Sequence, residues 1–176
     1  QLGMIAQERG DYQQAEERYR ASLTIAEDLG DRSGIASTYH QLGMIAQERG
    51  DYQQAEERYR ASLTIAEDLG DRAGIATSYG QLGVLRTRQQ RPADGVRYTL
   101  QALALELESG RPPHISLYWL GRQRALLGDD AFRSLLEELL PDEVAASVMI
   151  VTQLQGEPVP HDESADPDDP TGTDQA

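Results

Sequence analysis

The sequence predicts an all-α solenoid of stacked helix pairs, and three observations predict it. Residues 1–40 and 41–80 are identical at 36 of 40 positions, and self-similarity at a period of 20–50 residues marks repeat architectures. Within each unit the apolar residues recur at helical spacing, with no strand-like alternation. A Gly-Asp pair also separates successive helical runs, at Gly50-Asp51 and again at Gly70-Asp71. Glycine closes a helix in the left-handed conformation, and aspartate caps the amides of the next.

The two copies differ only at Ser33/Ala73, Ser37/Thr77, Thr38/Ser78 and His40/Gly80. In the second unit Ile35, Tyr39, Leu42 and Ala46 share one face of a first helix, A. Gly50 is its C-terminal glycine, and Gln54 stands three residues after Asp51 in a capping-box-like pattern. Tyr52, Ala55, Tyr59, Leu63, Ala66 and Leu69 form the stripe of a second helix, B. A third, diverged copy starts at Gln81-Leu82-Gly83 and runs to about Gly110, with Arg86, Pro92, Gly95 and Thr99 where the second unit has Ala46, Tyr52, Ala55 and Tyr59. Its second helix keeps Val96, Leu100, Leu103 and Leu107. A fourth, weaker copy surrounds Leu120-Gly121 and Gly128-Asp129. After Pro112-Pro113, residues 112–127 give a helix with Ile115, Leu117, Leu120 and Leu127 inward. Residues 130–140 give another, with Phe132, Leu135, Leu136 and Leu139. Solenoids need atypical end units to cover the last apolar face, so 111–140 reads as a closing cap. Residues 142–155 read as a final helix with Val144, Val148, Val151 and Leu154 inward, although the β-branched run from Val148 to Thr152 leaves a strand open.

These residues resemble the tetratricopeptide repeat. Tyr39 stands at that family's Trp position, Leu42-Gly43 at its Leu-Gly pair and Ala46 at its following Tyr. Gly50-Asp51-Tyr52 matches its turn, Ala55 its small residue and Tyr59 its aromatic. Leu2-Gly3, Gly10-Asp11-Tyr12, Ala15 and Tyr19 repeat the pattern. The terminal Pro is absent, and the period is 40 rather than 34. Both departures resemble the longer-helix variety of kinesin light chains and many bacterial signalling proteins. The resemblance covers residues 1–110 strongly and 111–140 weakly. It implies a right-handed superhelix whose A helices line a concave groove. By that register the partner-binding groove carries Met4, Gln7 and Glu8 from the first unit and Ser37, His40, Met44, Gln47 and Glu48 from the second. The third adds Thr77, Val84, Thr87 and Arg88, with Gly80 between them, and the fourth Tyr118 and Arg122. Trp119 lies beside them. Members that clamp a chaperone's C-terminal carboxylate use Lys and Asn in this groove, and this chain has neither.

Composition narrows the function further. The 176 residues carry 16 basic and 30 acidic side chains, a formal net charge of −14. Nucleic-acid binders show a concentrated positive footprint, so no nucleic-acid partner is expected. All the basic residues are Arg, and the chain has no Lys, Asn or Cys. That usage points to a GC-rich bacterial genome. Zero Cys excludes disulfide frameworks, thiolate zinc sites and thiol nucleophiles. The longest apolar run, Val144 to Val151, is far short of the roughly 20 residues of a spanning helix, so no membrane is expected, and the reading is of a cytoplasmic protein. Residues 156–176 hold four Pro, seven acidic residues and no basic one, a composition that does not offset the entropy of ordering; this acidic tail reads as disordered. Three segments result: 1–110 as three repeats, the first truncated at its N-terminus, 111–155 as degenerate repeat and capping helices, and 156–176 as tail. Gln1 aligns with mid-helix Gln41, so the chain reads as the C-terminal piece of a longer array.

No constellation of catalytic residues emerges. His40, His114 and His161 fall in different segments without metal-ligand spacing, and His40 reads as a solvated groove residue. Glu16-Glu17 and Glu56-Glu57 are paired acids, but Arg20 and Arg60 follow at helical spacing, which makes an exposed charge ladder. The tail lacks the order of a calcium loop. No catalytic residue, metal or cofactor is expected. The arginines 86, 88, 91 and 97 read either as solvation of the diverged unit, as a partner site, or as a dock for the acidic tail. The function expected is a non-catalytic protein–protein interaction module holding a partner peptide or helix in the groove. Two alternatives stand: the sensory or regulatory end of a larger bacterial signalling protein, and end-to-end self-association through the open first unit.

Overall fold

The computed structural model describes residues 12–154. They form α1 (Tyr12–Leu29), α2 (Arg32–Glu48), α3 (Tyr52–Leu69), α4 (Arg72–Arg88), α5 (Pro92–Glu108), α6 (His114–Leu127), α7 (Asp129–Leu139) and α8 (Asp142–Leu154). No strand occurs among the described residues. The chain is a right-handed solenoid of helix pairs, in which α2/α3 and α4/α5 are the most intimate partners and each helix also packs on the next. Helices α7 and α8 both lie against α6 and close the stack.

Local chemistry sets the helix ends. Asp31 Oδ1 accepts the Gly34 amide at 2.9 Å and Asp51 Oδ1 the Gln54 amide at 3.1 Å. Asp71 Oδ1 accepts two amides, from Ala73 and Gly74. Each bond satisfies a donor that the first helical turn leaves orphaned. At the other ends Gly30, Gly50, Gly70 and Gly110 take φ between 66° and 78°, where a Cβ is costly. In the diverged third unit Gln90 occupies the Gly50 register and holds φ 61°.

The core follows the small residues. Ala15, Ala55, Tyr59, Ala66, Leu82, Leu85 and Val96 are essentially buried. The Tyr59 ring lies directly on the backbone of α2, since a Cβ added at Gly43 would sit 2.7 Å from its Cε1. The last core joins Val96, Leu103, Leu120, Phe132, Leu136, Ala145 and Val148.

Several expected stripes shift at their ends. Leu69 and Leu107 are exposed, because the last turn of each B helix runs past its neighbours. Ile115 is exposed while Leu120 is buried. The final segment is a helix throughout its described length, not a strand. Val144 and Val151 are exposed, however, and Ala145, Val148 and Thr152 face inward. The side chain of Leu154 lies outside what is described, as do residues 1–11 and 155–176. The tail and the first-unit groove residues Met4, Gln7 and Glu8 fall there.

Candidate partner-binding groove

The A helices α2, α4 and α6 present the expected groove residues at equivalent registers. Ser37, Glu48, Thr77, Arg88, Tyr118 and Arg122 are exposed. Glu48 and Arg88 pair at 3.0 Å across successive units, so that pair spans α2 and α4. Tyr118 is half exposed and meets Trp119 edge-to-face at 5.7 Å between ring centroids. Met44 is partly buried against the core around Tyr59.

Three expected groove residues are not available to a partner. Val84 is 7 % exposed. Gln47 is buried and accepts the Tyr59 hydroxyl at 3.4 Å. Thr87 is buried and accepts from Gln123 Nε2 at 2.9 Å. Thr99 accepts from the same nitrogen, also at 2.9 Å. Both hydroxyls already donate to backbone carbonyls, of Gly83 and Gly95, so the Gln123 group facing them must be its N–H₂. The third unit thus replaces the large Tyr59 with small Thr99 and lets Gln123 of α6 enter the space, close to Gly95, where a Cβ would lie 2.9 Å from Nε2.

His40 is half-buried rather than solvated, 5.7 Å from the Tyr59 ring centroid. Burial pushes its imidazole below the usual histidine range, because a charged ring loses hydration there. Burial also pushes the Tyr59 hydroxyl up. His40, Ser37 and Thr77 converge on one cavity of about 200 Å³ between α2, α3 and α4, together with Ser33, Ser62, Asp71 and Ser78. Of these, Ser33, Ser62, Asp71 and Ser78 carry no groove signature in the sequence. The available signal was that Ser33 and Ser78 stand at positions where the two near-identical units differ. A larger cavity, about 450 Å³, lies in the cap. Its walls carry Arg124, Arg133, Asp129 and Glu137, charges of both signs.

The acidic pairs and the arginine cluster resolve into structural ion pairs. Glu16 bonds Arg20 at 2.5 Å and Arg49 at 2.7 Å. Glu56 bonds Arg60 at 2.9 Å and Arg86 at 2.5 Å. Partial burial opposes ionisation of Glu56, and the hydrogen bonds from Arg86 and Arg60 outweigh it, leaving its pKa below the usual value. A general acid at neutral pH needs the opposite shift. Each arginine of the cluster is paired within the fold: Arg86 with Glu56, Arg88 with Glu48, Arg91 with Asp94 and Arg97 with Glu138. They are therefore not a free basic patch for an acidic partner or tail. Among the described residues no three His, Asp or Glu side chains converge as metal ligands, and no helix is long and apolar enough to cross a membrane.

The model of the family described as tetratricopeptide repeat matches residues 1–68 and again 34–108. The chain belongs to the tetratricopeptide repeat family. Proteins of this family are generally protein-interaction modules built on a non-catalytic repeat scaffold. No protein of curated function matches the sequence. Among solved structures the chain is similar to BtubC (BKLC) from P. vanneervenii, with a TM-score of 0.66 at 20% identity. The match covers 86% of this chain and 62% of that one, so the chain spans under two thirds of its neighbour's length. At this identity the likeness concerns the fold. The tetratricopeptide A helices are α2, α4 and α6, and the cavity beside His40 opens between two of them and the intervening B helix.

Proposed function

We propose that this chain is a non-catalytic interaction module whose A-helix groove holds an extended or helical segment of a partner protein, in a cytoplasmic setting. The observation that carries this reading is the row of exposed side chains along one face. Ser37, Thr77, Tyr118 and Arg122 are exposed on successive A helices, and among the described residues Arg122, unlike Arg86 and Arg88, makes no ion pair. Exposed aromatic and arginine side chains are the usual anchors of protein interfaces. By register Met4, Gln7 and Glu8 extend the same groove, and Glu48, Arg88 and the half-buried His40 and Met44 form its floor and rim. In the same proposal residues 1–110 supply the binding repeats and 111–155 cap them.

The test is selection of a random-peptide display library on the immobilised chain. The expected result is enriched peptides whose binding falls at least about tenfold on Tyr118→Ala or Arg122→Glu, the loss of one anchor of about 1.4 kcal/mol or more. Failure to enrich any sequence, or enriched peptides indifferent to both substitutions, overturns the reading.

A further inference from the structure

We propose that the cavity between α2, α3 and α4 is a subsite that accepts one neutral carboxamide side chain, Asn or Gln, from the bound partner segment. The proposal rests on the groove reading above and adds what the groove selects. Its first support is the pattern of change between the two duplicated units. They differ at four positions, which place eight residues: Ser33, Ser37, Thr38 and His40 in α2, and Ala73, Thr77, Ser78 and Gly80 in α4. Five of the eight, Ser33, Ser37, His40, Thr77 and Ser78, line this one cavity. All the divergence between otherwise identical units thus lies along one stretch of helix A, and most of it faces one space.

A second, independent observation is an unmet hydrogen bond. Ser78 is fully buried, lines the cavity, and its hydroxyl bonds no group among the described residues. Its counterpart in the preceding unit, Thr38, donates to the Gly34 carbonyl at 2.8 Å. Thr77 likewise donates to Ala73 at 2.8 Å. Buried polar groups are almost always paired, and this hydroxyl, closed off behind the cavity wall, gains a partner when its side chain turns about χ1 toward a ligand seated in the cavity.

Charge and size name the ligand. Among the described residues no Arg lines the cavity, so a carboxylate or phosphate would be desolvated without a counter-charge. The single carboxylate on the described wall, Asp71, accepts the Ala73 and Gly74 amides through Oδ1 at the N-terminus of α4, where the helix's own amides already offset its charge, so it is a weaker anchor for an ammonium or guanidinium than a free carboxylate. What remains is a set of groups that both donate and accept: the hydroxyls of Ser33, Ser37, Ser62, Thr77 and Ser78, and the imidazole of His40. A carboxamide, with two N–H donors and a carbonyl acceptor, complements such a set. Ala36, Ala66 and Leu69 supply apolar wall for the methylenes. About 200 Å³ holds one such side chain and not a bulky cluster.

The experiment is titration of the ¹⁵N-labelled full chain with propionamide, propionate and n-propylammonium in turn, followed by backbone amide shifts. Saturable shifts at Ser37, His40, Thr77 and Ser78 are expected with propionamide alone. Ser78→Ala removes the unpaired hydroxyl and leaves the packing intact; it should weaken propionamide at least about fivefold, the loss of one hydrogen bond. No saturable shift with propionamide, equal shifts with all three probes, or undiminished binding by Ser78→Ala overturns the proposal. Peptides that bind through Tyr118 and Arg122 but tolerate Ser78→Ala and loss of their own Asn and Gln overturn the subsite and leave the groove. Propionamide binding here without any enriched peptide overturns the groove and leaves the cavity.

Discussion

His40 shows how one substitution between duplicated units creates a titrating element. Gly80 holds the equivalent place in the next unit, and only His40 packs beside Tyr59. Burial lowers its pKa below the unfolded value of about 6.5. The unfolded chain therefore binds the proton first as pH falls. The contribution of neutral His40 is fully present above about pH 6.5 and is lost as pH drops through the folded-state value. Urea midpoints at pH 7.5 and 5.5 should fall further for the native chain than for His40→Gln. Equal falls in both proteins would show that the ring is not buried in the folded state.

At the level of the element, four helix ends repeat one device and a fifth carries it out with a different residue. Glycine sits at φ near 66–78° after α1, α2, α3 and α5. After α4 the same task falls to Gln90 at φ 61°, where a side chain meets the steric cost of left-handed backbone. Gln90 is exposed and contributes no core contact. Gln90→Gly should therefore raise stability by about 0.5–1 kcal/mol, the steric relief less the extra entropy of the unfolded glycine. The measurement is a urea midpoint with an unchanged slope; a lower midpoint would show that the Gln90 side chain stabilises the turn. The third unit makes a further exchange at its ion pairs. Gln89 replaces Arg49 of the preceding unit, and Arg86 takes over the bond to Glu56 while donating to Gln89 at 2.8 Å. The bridge between successive B and A helices survives although the residue that makes it has moved.

The whole molecule behaves as a line of units, each stabilised by its neighbours. Its C-terminal end depends on one buried cation. Arg124 is 8 % exposed, and its Nη1 donates to the Met149 carbonyl at 2.7 Å and to Thr152 Oγ1 at 3.3 Å. Its Nε donates to Asp129 at 2.8 Å. This one side chain joins α6 to both α7 and α8. Arg124→Ala should cost about 2–3 kcal/mol, the range of charge-assisted hydrogen bonds, and the loss should be local. Amide hydrogens of α8 should exchange much faster while those of α2 to α5 keep their protection, as expected for units with nearest-neighbour coupling. Uniform loss of protection along the chain would mean the array folds as one cooperative block.

The period of 40, the helix pairs, the Asp caps and the glycine turns were all legible in the sequence. The helices, caps and turns rest on interactions between residues at most five positions apart, which leave their signature in spacing, and the period shows because the unit copies itself. The A-helix register that carries Ser37, Thr77, Tyr118 and Arg122 was legible for the same reason, through a repeat that copies itself. Three-dimensional neighbours decided the rest. Gln47, Val84 and Thr87 lie on the register of the groove yet are buried, because Tyr59 and Gln123 reach them from other helices. Val144 and Val151 point outward and Thr152 inward, because Arg124 and the α6 surface choose which face of α8 to cover. The partners of the four clustered arginines and the cavity beside His40 also arise between helices. Burial is a property of the gap between elements, and a helix's own periodicity specifies a stripe without specifying what will lie against it.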